Sequence, residues 1–305
     1  METFIVLSLT QKASDLYLCS GQYPTMRIDG TLKVLKQTLL SHEQLYAYLT
    51  SFLSTVQIKE LTINKQIDVA VNDPLHGRYR VHIFYQYHGV SAIFRFINSI
   101  IPTIDEINLP DVVYKIIKKS YGLILITGAT GSGKSTSLAA LIEHINQHQN
   151  KHIITLEDPI EYVYKSKQSV IQQREINTHI ENFSMALKAV LRQDPDIIVI
   201  GELRDNETVQ AALTLAETGH LIFASLHTNT ACESINRLID VVASEQKNFV
   251  RSQLSRSLCA IICQQLIAKP EGGRKALYEV LINTPAMSNL IKDGNINQII
   301  TLMQT

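Results

Sequence analysis

The sequence predicts an α/β protein in two parts, a parallel-sheet core preceded by a small α+β module. Three observations lead there. From residue 123 onward, short apolar runs at 123–127, 153–156, 197–200 and 221–225 alternate with helix-patterned segments, and strands that alternate with helices form parallel sheets through right-handed crossovers. The runs are predominantly apolar, as strands buried on both faces are. Pro102 and Pro110 bound a short polar segment that divides this region from a first hundred residues of different pattern.

The elements follow in chain order. Residues 41–53 suit a helix, with Ser41 as N-cap and Gln44 three residues later. Val81, Ile83 and Tyr85 alternate with Arg80, His82, Phe84 and Gln86, a partly strand-like pattern, and residues 90–96 suit a second strand turned by His88-Gly89. Residues 1–100 therefore form the first domain, 101–110 a linker and 111–305 the core. The core opens on a basic helix at 111–119. Leu138, Leu141, Ile142 and Ile145 recur at helical spacing, as do Val209, Ala212, Leu213 and Ala216. No tandem repeat or low-complexity segment interrupts the pattern.

Composition narrows the classes. A chain of 305 residues fits two domains, and 45% hydrophobic with 18% charged residues supplies a globular core. Lys+Arg and Asp+Glu both number 28, which argues against a dedicated nucleic-acid binder, although a local basic patch stays open. Cys19, Cys232, Cys259 and Cys263 form no C-x-x-C pair, so zinc ligation has no support from spacing. Cys259 and Cys263 lie four apart in a helical pattern and read as two core thiols. Sparse, unpatterned cysteine suits a reducing cytoplasm. No apolar run approaches the roughly 20 residues that span a bilayer. The N-terminus has no basic start and no small-residue cleavage site of a signal peptide.

Residues 128–135 read Gly-Ala-Thr-Gly-Ser-Gly-Lys-Ser, the full phosphate-binding pattern G-x-x-x-x-G-K-[ST]. Gly128, Gly131 and Gly133 let the backbone curl and aim N–H groups inward at phosphate oxygens, with Ala129, Thr130 and Ser132 completing the wall. A helix starting near Gly133 adds its positive dipole end. Lys134 brings a mobile charge to the β- and γ-phosphates, and Ser135, followed by Thr136, offers a hydroxyl to Mg²⁺. The sequence is thus expected to bind ATP with Mg²⁺ and to hydrolyse it.

Hydrolysis also needs acids. Glu157, Asp158 and Glu161 follow the run at 153–156, and Glu202 follows the run at 197–200. Ligands gather at the carboxyl ends of parallel strands, so both clusters can face the phosphate loop. Glu202 occupies the position where a carboxylate holds Mg²⁺ directly or through water, with Ser135 as the second metal-side ligand. Glu161 is the candidate to orient or deprotonate the attacking water. Glu157 and Asp158 either support it or touch the metal's shell.

These segments together resemble the PilT-type ATPases, the retraction motors of type IV pili within the type II/type IV secretion ATPase superfamily. Residues 154–162 (ITLEDPIEY) look like that family's Asp box, 196–205 (DIIVIGELRD) like its Walker B and 219–228 (GHLIFASLHT) like its His box. Residues 13–18 and 27–30 resemble its PAS-like N-terminal domain, and residues 285–292 (PAMSNLIK) its C-terminal A-I-R-N-L-I-R motif. The resemblance covers nearly the whole chain. It implies a RecA-like core and a homohexameric ring with nucleotide between subunits. It also implies an inner-membrane platform protein as partner, a cytoplasmic location at the inner face of that membrane, and membrane association through the partner only. His220 and His227 would sense nucleotide or couple it to domain movement, and Arg80 and Arg95 would reach toward it.

Three departures stand out. His88 replaces a common arginine, Met287 and Ser288 replace an apolar residue and an arginine of the C-terminal motif, and the sequence stops at Thr305, where relatives usually continue through another helical stretch. The leading expectation is a hexameric motor for pilus retraction and twitching motility. A pilus-assembly or type II secretion ATPase is the alternative within the superfamily. A nucleotide-binding regulatory subunit with little turnover is the alternative of another class, and a nucleic-acid translocase is disfavoured by the charge balance.

Overall fold

The computed structural model describes residues 1–36, 38–73, 75–97, 100–176, 178–270 and 273–303. The chain separates into two compact units, Met1–Ile100 and Ile101–Thr305.

The first unit runs α1 (Glu2–Thr10), β1 (Asp15–Cys19), β2 (Thr25–Ile28), β3 (Thr31–Val34), α2 (His42–Thr50), α3 (Thr55–Asn64), β4 (Gln66–Asp73), β5 (Gly77–Gln86) and β6 (Gly89–Phe96). Among the described residues its strands form a six-stranded antiparallel sheet in the order β3-β2-β1-β6-β5-β4. Tyr79, Val81 and Ile83 of β5 and Val90, Ala92 and Phe94 of β6 turn to one buried face with Leu16, Leu45 and Leu61. The alternate positions of β5 carry Arg80, His82 and Phe84, so the period-2 pattern separates core from polar face. Ser41 caps α2 by accepting from the Gln44 N–H at 3.2 Å. That helix stops at Thr50 because Ser54 and Gln57 form a reciprocal capping box that starts α3.

The second unit runs α4 (Val113–Ile116), β7 (Gly122–Thr127), α5 (Lys134–His148), β8 (His152–Glu157), β9 (Val170–Glu175), α6 (Phe183–Val190), β10 (Ile197–Ile200), α7 (Asn206–Glu217), β11 (Leu221–Leu226), α8 (Ala231–Asp240), α9 (Lys247–Ser257), β12 (Leu258–Ala268), β13 (Arg274–Ile282), α10 (Pro285–Asp293) and α11 (Asn297–Met303). Its sheet has the order β13-β12-β7-β11-β10-β8-β9, parallel except for the β12–β13 hairpin. All four apolar runs are strands, and β7, β10 and β11 are buried at every position. Helices cover both faces, giving two apolar layers on either side of the sheet.

Three local expectations change. Residues 111–119 yield only the single turn Val113–Ile116, because a cluster of β-branched residues follows Pro110 and Ile116 and Ile117 are drawn into the core. Residues 101–110 sort with the second unit, where Ile104 and Leu109 are buried. Cys259 and Cys263 lie on strand β12, not on a helix. Ladders to β7 on one side and β13 on the other override the four-residue spacing. Cys263 is buried and Cys259 half-buried.

Candidate functional site

The parallel ladder sets the site. Thr127 ends β7 in register with Leu226 of β11 and Cys263 of β12. The loops after β7, β8, β10 and β11 therefore leave the same edge of the sheet, the carboxyl edge where ligands bind in such folds. The structure places the phosphate loop, both acid clusters and His227 on that edge.

The loop has the backbone its glycines allow. Gly128, Gly131 and Gly133 adopt φ of +147°, +78° and +90°, conformations that side chains disfavour. Gly133 is the N-cap of α5, so the first helical N–H groups and the positive dipole end face into the loop. Lys134 Nζ donates to the carbonyls of Gly128 at 2.7 Å and Ala129 at 3.0 Å. Burial lowers the Lys134 ammonium from its usual value, and the charges of Glu202 and Glu161 oppose that shift. Both predicted acids thus lie within electrostatic reach of the same lysine.

His227 ties the loop to the acid. Its Nδ1 lies 3.3 Å from Lys134 Nζ and 3.4 Å from Thr130 Oγ1, while its Nε2 lies 3.3 Å from Glu202 Oε2. Arg204 continues the chain: Nε bonds Glu202 at 2.7 Å, and a terminal nitrogen lies 3.6 Å from Asp158. The two acid clusters are joined through this guanidinium, whose planar fork suits two carboxylates. Arg204 had no role from the sequence, although its position two residues after Glu202 was a usable signal.

Glu157 is held by side chains of β8 and β9. Its carboxylate accepts from Thr155 Oγ1 at 2.6 Å and Gln173 Nε2 at 3.0 Å. Burial pushes its carboxyl up, against those hydrogen bonds. Glu161 is exposed. The next residue, Tyr162, meets Thr136 Oγ1 at 2.9 Å, which pins the acid loop to the first turn of α5.

His220 does not join this group. It precedes β11, whose first residue pairs with Gly122, while His227 follows the strand's other end. At about 3.3 Å per residue the two imidazoles are separated by the strand's full length, and His220 contacts the Leu215 carbonyl. Arg80 and Arg95 are cross-strand partners in the first unit, with Arg80 on Asp68 at 3.5 Å and Arg95 on Asp15 at 3.0 Å. His88 sits at the β5–β6 turn against Gly21. Ser288, on α10, donates to the Ser255 carbonyl of α9.

A cavity of about 280 Å³ lies beside the loop, lined by residues 129–132 with Asn229, Gln264, Gln265 and Leu266. Gln264 was not singled out by its residue type, and nothing in its spacing marks it.

The donor set suits a hard cation with a polyphosphate. Ser135 and Glu202 present oxygen, which Mg²⁺ prefers, and the loop's buried Ser132 Oγ bonds no described residue.

Comparison with known proteins shows the family of the chain. A family model described as type II/IV secretion system protein matches residues 9–305. The uncharacterized protein YggR of Escherichia coli (strain K12) is 45% identical over 305 residues, covering 100% of this chain and 93% of that one. The type IV pilus retractation ATPase PilT of Pseudomonas aeruginosa is 42% identical over 301 residues, covering 99% of this chain and 88% of that one. The crystal structure of the pilus retraction motor PilT and bound ADP superposes with a TM-score of 0.91 at 44% identity, over 98% of this chain and 88% of that one.

Proposed function

The chain belongs to the type II/IV secretion system protein family, and from that premise we propose that it works as a retraction-type motor that converts ATP hydrolysis into movement of a type IV pilus or a related filament. It is an ATPase with a RecA-like core. The observation that carries the chemical reading is the contact chain Lys134–His227–Glu202 at the mouth of the phosphate loop.

In this reading the amides of residues 128–135 and the start of α5 hold the phosphate tail. Lys134 leaves the carbonyls of Gly128 and Ala129 to meet the β- and γ-phosphates. Ser135 and Glu202 would hold Mg²⁺, which would supply positive charge to offset that of the group being transferred. Glu161 orients a water for in-line attack and takes its proton. The new oxygen–phosphorus bond forms as the bond to the β-phosphate oxygen breaks, leaving ADP and phosphate. Arg204 holds Glu202 and Asp158 in fixed relation, and His227 relates the loop's charge to the acid.

We assign the assembled form to a homohexamer and its partner to an inner-membrane platform protein, with the motor on the cytoplasmic face. Among the described residues no helix is long and apolar enough to cross a membrane, which is compatible with attachment through a partner. Arg80 and Arg95 are assigned to nucleotide contact across subunits and His220 to coupling rather than chemistry. ATP turnover measured with the mass of the assembled species tests the proposal. Mg²⁺-dependent phosphate release by a hexamer supports it. Tight ATP binding with no release by the assembled ring would favour a regulatory subunit instead.

A further inference from the structure

We propose that Gln264 is a positioning residue for the phosphate loop, holding the Ser132 carbonyl outward so that the adjoining N–H faces the phosphates. The inference deepens the ATPase reading and rests on it.

The placement of Gln264 follows from the ladder. β12 pairs with β7 only as far as Cys263–Thr127, because the chain leaves the sheet at Gly128 to form the loop. β12 continues past that point beside β13, with Gln264 opposite Tyr278. Gln264 is thus the first residue of β12 whose former strand neighbour has become the phosphate loop. Its side chain is buried, at 6% exposure, and takes over where the backbone ladder ends.

Both ends of its amide are engaged. Nε2 donates to the Ser132 carbonyl at 2.7 Å, and Oε1 accepts from Ser137 Oγ at 2.7 Å. A backbone carbonyl can only accept, so the orientation of the amide is chemically fixed. The contact is close on both flanks of the loop. A Cβ on Gly128 would lie 2.3 Å from the Gln264 backbone oxygen, and one on Gly133 would lie 2.7 Å from Nε2. Gln264 therefore touches both glycines that bracket the loop and the first turn of α5.

The consequence is a matter of peptide geometry. In a planar trans peptide the C=O and the following N–H point in opposite directions. Fixing the Ser132 carbonyl against Gln264 on the outside aims the Gly133 N–H to the inside, where an anion is received. Without that anchor the peptide is free to rotate and present its negative end to the phosphates. Gln264 touches no reacting atom in this account; it acts through the loop.

Two variants of the full chain separate this role from simple packing. Gln264→Met keeps the volume and removes both hydrogen bonds. Gln264→Glu keeps the shape and the bond from Ser137 but sets an anion against the Ser132 carbonyl. ATP KM and kcat are measured beside thermal melting. The expected result is a KM raised ~10–100-fold in both variants, the loss that follows from unmade buried hydrogen bonds, with kcat and melting temperature changed far less. A packing role predicts a Gln264→Met variant with wild-type KM, and that result would overturn the inference. So would a defect in both variants confined to melting temperature. Wild-type protein that takes up no ATP would sink the enzyme reading and this inference with it, whereas wild-type turnover matched by Gln264→Met would sink this inference alone.

Discussion

Nε2 of His227 lies 3.3 Å from a carboxylate oxygen of Glu202. The other ring nitrogen faces the Lys134 ammonium at the same distance. An ammonium only donates, so in the neutral ring Nδ1 accepts and Nε2 carries the proton toward Glu202. The imidazole thereby reads both the charge in the loop and the acid beside it. His227→Asn serves one neighbour but not both. Its ATP turnover is expected to fall about 10–100-fold, the scale of a hydrogen bond to a charged group. Because the side chain is 42% exposed, melting should barely move. Steady-state phosphate release beside a thermal melt checks both halves.

Lys134→Ala removes the only positive side chain inside residues 128–135. ATP affinity is expected to drop about 10–100-fold and turnover to reach background. Calorimetric titration with ATP measures the first and a phosphate assay the second. Wild-type affinity in the variant would mean that the lysine does not meet the phosphates.

The loop glycines should differ in their tolerance. Gly128→Ala meets the Gln264 carbonyl oxygen at 2.3 Å, a backbone atom that cannot swing aside, whereas Gly131→Ala meets nothing within 4 Å. Both carry the cost of a positive φ, on the order of 1–3 kcal/mol for a residue with a side chain. Gly128→Ala is expected to lose nucleotide binding and several degrees of melting temperature, and Gly131→Ala to keep most of both. Equal damage at the two positions would contradict the close approach.

Glu157 gives a pH test. Burial raises its carboxyl above the ordinary 4.5, so the folded chain holds that proton more readily than the unfolded chain does. Its contribution to stability is complete below the ordinary value and is lost as pH climbs through the raised one. Glu157→Gln can keep the bonds from Thr155 and Gln173 without a charge to desolvate. The variant should melt above the parent at pH 8, with the gap closing as pH falls toward 4.5. A gap that does not depend on pH would show the carboxyl to be unshifted.

Much of this architecture was legible because its signals are local and redundant. The runs at 123–127 and 197–200 could be read as buried strands because no face of them is polar. The loop at 128–135 carries its glycines, lysine and serine in one short stretch, and Glu202 follows directly on a strand end. Where a residue's role depends on distant partners, the sequence was silent. Cys259 and Cys263 took their helical spacing into a strand because β7 and β13 offered ladders on both sides. Gln264 acquires its role only when β12 runs past the end of β7. Arg204 acquires its own when β8 and β10 pair and bring Asp158 beside Glu202. His220 and His227 look equivalent in one motif, yet the length of β11 puts them at opposite edges of the sheet.

The ammonium of Lys134 is already satisfied by two carbonyl dipoles of its own chain. A newcomer offering another neutral oxygen, such as a sugar hydroxyl or an amide, would exchange like for like. A polyanion adds the attraction of a full opposite charge, which a neutral oxygen lacks. A ligand that displaces this tether is therefore expected to carry negative charge, and a neutral oxygen donor is expected to leave the ammonium on its own carbonyls.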